Sequence, residues 1–402
     1  MRVRGATAIV VLIATLVAGC GGGSASTAAA QRAAGLEEEE GEGGIVEAGE
    51  PGPRHVQEGE MVAGEEGWVR TPVGVFWTPD GGRTWRPITP PVPDVELIDG
   101  IYFANSRHGW ALWDTGREGD SRPSMYRTGD GGRTWHRTRL RAYDQFAPVA
   151  EVSFSLVDGR KLFALTRVNG DPAIFFGPLF VSRDAGRHWR ALPPPPVAGE
   201  ISFETPRRGW IAGGRSGRSL LRTVDGGRTW QEVVPGKPLG SPPQTELESI
   251  HDTRWTSYTA PMLGRDGHGI LGMVEASEKE GSTEATRAVI WRTDDFGRSW
   301  RRSDRVELSN TTADYEAAQV FIRRGHSRSF IVRDPLGGAY TVVGPGGHAG
   351  PLRPTHGLPR DSKGFTFSDA RHGFAFPSFG NRSSLSFTAD GGRDWTQVAV
   401  PR

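Results

Sequence analysis

Cysteine is almost absent from this chain: Cys20 is the only one in 402 residues, so no disulfide can form within it. Lysine is also scarce, with only 4 of the 48 basic residues (161, 237, 279 and 363), and arginine carries nearly all the positive charge. The apolar run from Ala6 to Val17 is too short to cross a bilayer comfortably. Histidine is scattered singly, as at His108, His188, His268, His326 and His372, with no pair at metal-ligand spacing. There is no Gly-x-Ser-x-Gly elbow and no Walker loop. No metal, cofactor or nucleic-acid partner is therefore expected.

What the chain has in quantity is a repeat. Thr223 to Trp230 reads Thr-Val-Asp-Gly-Gly-Arg-Thr-Trp, and near copies stand at Thr78 to Trp85, Thr128 to Trp135, Ser182 to Trp189, Thr293 to Trp300 and Thr388 to Trp395. Aspartate followed by glycine supplies an acceptor for backbone N–H groups and a residue that tolerates positive φ, and the hydroxyl two places earlier adds a second local bond. β-favouring runs such as Val75 to Trp77 and Trp395 to Val400 flank the copies, so each copy is expected to join two antiparallel strands.

A second motif places phenylalanine and glycine six residues apart: Phe103 and Gly109, Phe203 and Gly209, Phe367 and Gly373. Looser versions lie at Glu65 to Trp68 and around Asp158 and Gly159. Two turns per unit make four strands, a to d. The repeat aspartates fall at 80, 130, 184, 225, 295 and 390, and the last gap of 95 is about twice the usual one. Ala339 to Gly347 fills it as a degenerate copy, with Pro345 in the aspartate's place and Gly350 in the tryptophan's. The arithmetic predicts an all-β fold, a seven-bladed β-propeller of four-stranded antiparallel blades over residues 54–402.

These repeats resemble the Asp-box (BNR) repeats of sialidases and sortilin-type receptors and, with the Gly-Trp turn beside them, most of all the photosystem II assembly and stability factor family. The similarity spans residues 54 to 402 and is specific for fold; a superfold hosts many functions. The resemblance implies a protein-binding assembly or scaffold factor. A carbohydrate-active propeller, a sialidase-like glycosidase or a lectin with its site on the axis of the loop-rich face, is the alternative. Against the sialidase, no Arg-Ile-Pro occurs, and the chain is long enough for only one propeller, not the two that flank the cleft of xyloglucan-cleaving relatives.

The N-terminus begins with positive charge at Arg2 and Arg4, and Leu16-Val17-Ala18-Gly19-Cys20 closes the apolar run. Residues 1–19 resemble a bacterial lipoprotein signal peptide, with Cys20 as the lipidated first residue of the mature chain. Residues 20–53, rich in glycine, alanine and glutamate, cannot bury a core and read as a flexible tether of about 30 Å reach. Residues 1 to 60 hold 4 Arg and 9 Glu, a balance of −5, which leaves +6 for the rest of a chain whose net charge is +1.

The repeat aspartates Asp80, Asp130, Asp184, Asp225, Asp295 and Asp390 are expected to be turn acceptors, since one acid per blade cannot assemble a metal site. The repeat tryptophans Trp85, Trp135, Trp189, Trp230, Trp300 and Trp395 are expected to pack between blades. No catalytic residues are assigned. Because strands alternate in direction, the a–b and c–d turns must share one face. Arg107, Arg207, Arg208 and Arg371 thus form a candidate basic binding face together with the repeat arginines. The glutamate-rich segment Ala276 to Glu284 is expected as a long b–c loop on the other face. The expected protein is an extracytoplasmic, membrane-anchored monomer whose protein partner is acidic or membrane-embedded.

Overall fold

A computed structural model describes residues 56–401 apart from short interior stretches, of which 240–253 is the longest. Cys20, the tether and Pro345 lie outside the described residues. The architecture is an all-β propeller of consecutive antiparallel sheets. The first sheet comprises Glu58–Ala63, Glu66–Thr71, Gly74–Thr78 and Arg86–Pro87; the second, Ile98–Phe103, Gly109–Trp113, Ser124–Thr128 and His136–Arg139. The third comprises Val149–Val157, Lys161–Val168, Leu179–Ser182 and Arg190–Leu192; the fourth, Gly199–Phe203, Gly209–Gly213, Ser219–Thr223 and Gln231–Glu232. The fifth is larger: Arg254–Tyr258, Met262–Leu263, Gly269–Lys279, Ser282–Thr293 and Arg301–Leu308. The sixth comprises Gln319–Ile322, Phe330–Arg333, Ala339–Val343 and Arg353–Pro354, and the seventh Ser362–Phe367, Gly373–Pro377, Leu385–Thr388 and Thr396–Val398.

The expectation of seven four-stranded blades is thus corrected to six four-stranded sheets, the fifth sheet having five strands. The physical reason is Pro261, which has no N–H to give to the ladder and divides the innermost strand of the fifth sheet into two pieces, both paired with Gly269–Lys279. Thr259 bridges the break, its N–H bonding Gly272 O at 3.0 Å and its hydroxyl accepting from Gly272 N at 3.0 Å. The segment 276–284 is also corrected: the b and c strands run on to Lys279 and from Ser282, leaving two residues where a long loop was expected.

Both repeated turns have clear causes. Phe103 and Gly109 are cross-strand partners, and a Cβ at Gly109 would lie 2.4 Å from the Phe103 ring. The ring occupies the glycine's missing side chain, and Phe203 over Gly209 repeats this at 2.4 Å. In the other turn the residue after the aspartate donates to the a–b turn of its own sheet: Gly81 to Glu65 O, Gly131 to Arg107 O, Ala185 to Arg160 O, Gly226 to Arg207 O, Phe296 to Gly267 O and Gly391 to Arg371 O. The a–b and c–d turns therefore do share a face.

The core runs between the sheets rather than within them. Trp135 reaches back to the preceding sheet, its indole N–H bonding Ile88 O at 3.1 Å. The same geometry closes the ring: Trp85 bonds Ala399 O at 3.0 Å, Met61 N bonds the Thr366 hydroxyl at 3.0 Å, and Met61, Val69 and Phe76 pack with Phe374, Phe376 and Phe387. Among the described residues no strand is exchanged between the first and last sheets, and side-chain burial across this seam holds them together.

Candidate functional site

The repeat turn shows what its aspartates do. Asp225 Oδ1 accepts from the backbone N–H of Arg228 at 2.9 Å and of Thr229 at 3.0 Å, and Oδ2 accepts from the Thr229 hydroxyl at 2.6 Å. The Thr223 hydroxyl donates to Asp225 Oδ1 at 2.9 Å and accepts from Gly227 N at 3.0 Å. Partial burial works to raise the Asp225 carboxyl, but the Thr229 and Thr223 hydrogen bonds outweigh it and hold it at about 2. Asp184 is held at about 2 in the same way, burial being outweighed by His188 and Ser182. Asp80, Asp130, Asp295 and Asp390 repeat the arrangement, and all four carboxyls are lowered. These carboxylates are saturated by their own turns. Among the described residues no group of three or more acidic, histidine or cysteine side chains is placed to hold a metal.

The tryptophans divide into two groups. Trp300 and Trp395 are buried, at 4 and 7 % exposure, whereas Trp85, Trp135, Trp189 and Trp230 are only partly covered. Trp230 meets Phe203 edge-on at 6.1 Å.

The four arginines proposed from sequence do not assemble. Arg107 and Arg371 are exposed on the second and seventh sheets, the latter donating to Ala389 O at 3.1 Å. Arg208 turns inward: its guanidinium lies 3.8 Å from the centre of the Phe296 ring of the fifth sheet and 3.7 Å from the Glu204 carboxylate. Arg207 alone joins a cluster.

That cluster is a cleft of about 510 Å³ on the turn face, between the third and fourth sheets. One wall carries Asp158, Arg160 and Lys161 from the a–b turn of the third sheet, with Arg183 and Arg190 flanking its repeat turn; the opposite wall carries Pro206, Arg207, Asp225, Gly226 and Arg228. Val181 and Leu192 supply the apolar floor. The seam beneath is tight: Phe163 and Phe203 stack with centroids 3.6 Å apart, and Ile201 N and Phe203 N bond the hydroxyls of Ser153 and Ser155 at 3.0 and 2.9 Å.

Electrostatically the cleft is one-sided. Asp225 is consumed by its turn, and Asp158 is ion-paired with Arg265 of the fifth sheet. Lys161 donates to Pro206 O across the gap and sits 4.7 Å from the Phe163 ring centre. Burial, then the neighbouring charges of Arg183, Arg228 and Arg190, pull its ammonium below the usual lysine range. Arg160, Arg183, Arg190 and Arg207 are exposed and make no ion pair among the described residues. A crowd of guanidiniums with every nearby carboxylate committed elsewhere has the chemistry to hold planar anions, which arginine can grip through two parallel N–H bonds.

Sequence reasoning missed Arg160, Lys161, Arg183 and Arg190. A signal was present: the third unit carries a basic residue inside its repeat, at Arg183, and two more directly after its Asp158-Gly159 turn.

No family model matches this chain, and no curated protein matches it. Solved structures do. A structure described as YCF48 bound to D1 peptide is 17 % identical, covering 75 % of this chain and 80 % of its own, with a TM-score of 0.39. The GH74 enzyme of Niastella koreensis is 11 % identical over 86 % of this chain and 72 % of its own, at 0.35, and a PL25 ulvan lyase is 10 % identical over 86 and 84 %, at 0.34. At these identities the likeness assigns no function.

Proposed function

We propose that this chain is an exported, lipid-anchored propeller that holds an acidic segment of a protein partner at the outer side of the cytoplasmic membrane, as an assembly or scaffold factor. The observation that carries the binding reading is the cleft between the third and fourth sheets. Arg160, Lys161, Arg183, Arg190, Arg207 and Arg228 face a space whose two carboxylates are already engaged. The anchoring part rests on the lipoprotein-like sequence ending at Cys20, with the tether giving the propeller its reach. The scaffold role rests on the motif resemblance and on the absence of an assigned catalytic group. Such a cleft draws acidic surfaces by long-range attraction that salt screens over a Debye length of about 8 Å at physiological strength.

The test is capture from detergent-solubilised membranes by wild type and by an Arg160→Gln/Arg183→Gln/Arg190→Gln variant, with a glycan array run beside it. The expected result is a protein retained by wild type, released by raised salt and lost by the variant. Equal capture by both proteins refutes the cleft as the binding site. Selective glycan binding with no captured protein favours the carbohydrate-active alternative.

A further inference from the structure

The wall of the basic cleft has a second side. The a–b turn of the fourth sheet puts Pro206 and Arg207 into the cleft, while Glu204 and Arg208 of the same turn face the fifth sheet. The Glu204 side chain is 3 % exposed, and neither of its carboxylate oxygens has a hydrogen-bond partner. Arg222, from the c strand, is buried nearby at 8 % exposure with its guanidinium 5.8 Å from the Trp210 ring centre, and its Nε is also unpartnered. A buried carboxylate without hydrogen bonds beside two guanidiniums is an expensive arrangement, unusual in a structural seam.

The adjoining residue is strained. Phe296 holds φ of +61° at a place where four other repeat turns have glycine, Gly81, Gly131, Gly226 and Gly391. A bulky residue persists there at a backbone cost, and its ring is what covers Arg208. Ala104 and Ser368 stand where Glu204 does in the second and seventh sheets, so the acid belongs to this junction rather than to the repeat.

We infer that Glu204 is a proton-operated latch on the wall of the cleft: its ionisation weakens anion binding there and its protonation strengthens it. The inference rests on the reading of the cleft as an anion site. Burial pushes the Glu204 carboxyl up to about 7, against the pull of the Arg208 and Arg222 guanidiniums. The charged groups facing it are Arg208 from its own turn and Arg222 from the c strand, with Arg298 and Asp295 of the fifth sheet acting on Arg222. Trp210 and Phe296 supply the apolar walls. Above neutrality the carboxylate places a negative charge within about 10 Å of the Arg207 backbone, three residues along the chain. Below it that charge is gone, while the guanidiniums remain. At that separation one charge changes anion affinity by about threefold to tenfold.

Calorimetric titration with a hexa-aspartate peptide, whose carboxylates stay ionised throughout, compares pH 6 with pH 8. All proteins carry His188→Gln, which removes the imidazole beside Asp184 from the comparison. The parent is expected to bind about threefold to tenfold more tightly at pH 6, and Glu204→Gln to bind equally at both, near the parent's pH 6 value. A Glu204→Gln protein that keeps the parent's pH dependence overturns the inference. If that variant does not fold, Arg208→Met replaces it: losing the guanidinium should move the midpoint of the pH dependence upward, and an unmoved midpoint is equally fatal. Infrared titration of the protonated-carboxyl band separates this inference from the functional reading. A parent that ignores the peptide at both pH values sinks the cleft, whereas a parent-minus-Glu204→Gln difference spectrum, in which the Glu200 carboxyl cancels, that shows no carboxyl band titrating between pH 6 and 8 sinks the latch alone.

Discussion

Glu200→Gln should reverse part of the pH dependence of stability. Glu200 lies on the innermost strand of the fourth sheet, opposite Ala212, and its Oε2 is buried without a partner. Burial pushes the carboxyl up to about 8 from an ordinary 4.5, Glu151 of the third sheet pushes the same way, and the Ala260 N–H holds it down. The folded value is raised above the unfolded one, so the stabilisation is fully present below pH 4.5 and is lost as pH rises through 8. Each unit corresponds to about 1.4 kcal/mol, which makes the full swing about 5 kcal/mol; Glu200 keeps some solvent contact, and screening reduces this to about 2 to 3 kcal/mol. An amide has no such titration. Urea unfolding at pH 5, 6.5 and 8 should find the two proteins close in stability at pH 5 and the variant ahead by about 2 to 3 kcal/mol at pH 8. A wild-type-minus-variant difference that stays flat within about 0.5 kcal/mol across the series refutes the burial argument, since acids distant from Glu200 are common to both proteins and cancel.

Trp300→Ala should cost about 3 to 5 kcal/mol in urea unfolding because that ring is buried, whereas Trp230→Ala should cost about 2 because its ring is partly in water; equal costs would contradict the burial difference. Gly209→Ala forces a Cβ to within 2.4 Å of the Phe203 ring and should destabilise by about 1 to 3 kcal/mol, and a neutral result would show that the ring can move aside. Cys20→Ala should release the protein from carbonate-washed membranes, and persistent membrane fractionation would show that a lipidated Cys20 is not the anchor.

Legibility followed repetition. The repeat turns and the Phe-to-Gly turns could be read because each rests on contacts between residues at most six apart along the chain, and their shared face because strands alternate in direction. Ala276 to Glu284 was misread because charged residues between Gly-bounded strands look like a loop. The structure pairs Glu275 with Arg287 at 2.6 Å, a cross-strand contact invisible without the register. Its turn position assigns Arg208 to the basic face, but the ring that covers it comes from another sheet, 88 residues away in sequence. The repeat tryptophans differ in exposure for the same reason: cover for Trp85 and Trp135 comes from the adjoining sheet, which differs at each junction.

The cleft lies beside one of the places where the repetition lapses. In the second, fourth and seventh sheets the a–b turn is five residues long, from 104 to 108, 204 to 208 and 368 to 372, fixed by the Phe ring over its glycine. In the third sheet only Asp158, Gly159 and Arg160 lie between the strands, with Asp158 at φ +54° and Gly159 at +69° making the tight reversal. The cleft opens beside this shorter turn, facing the full-length turn of the fourth sheet, and Arg160 and Lys161 enter it from the point of shortening. Repetition supplies rigid walls at fixed spacing, and a departure of two residues leaves room between them that arginine side chains line without filling. Lengthening the third turn to the five-residue pattern should therefore close the cleft without unfolding the sheet, because the strands below are held by the Phe163 and Phe203 stack and by the two serine hydroxyl bonds across the seam.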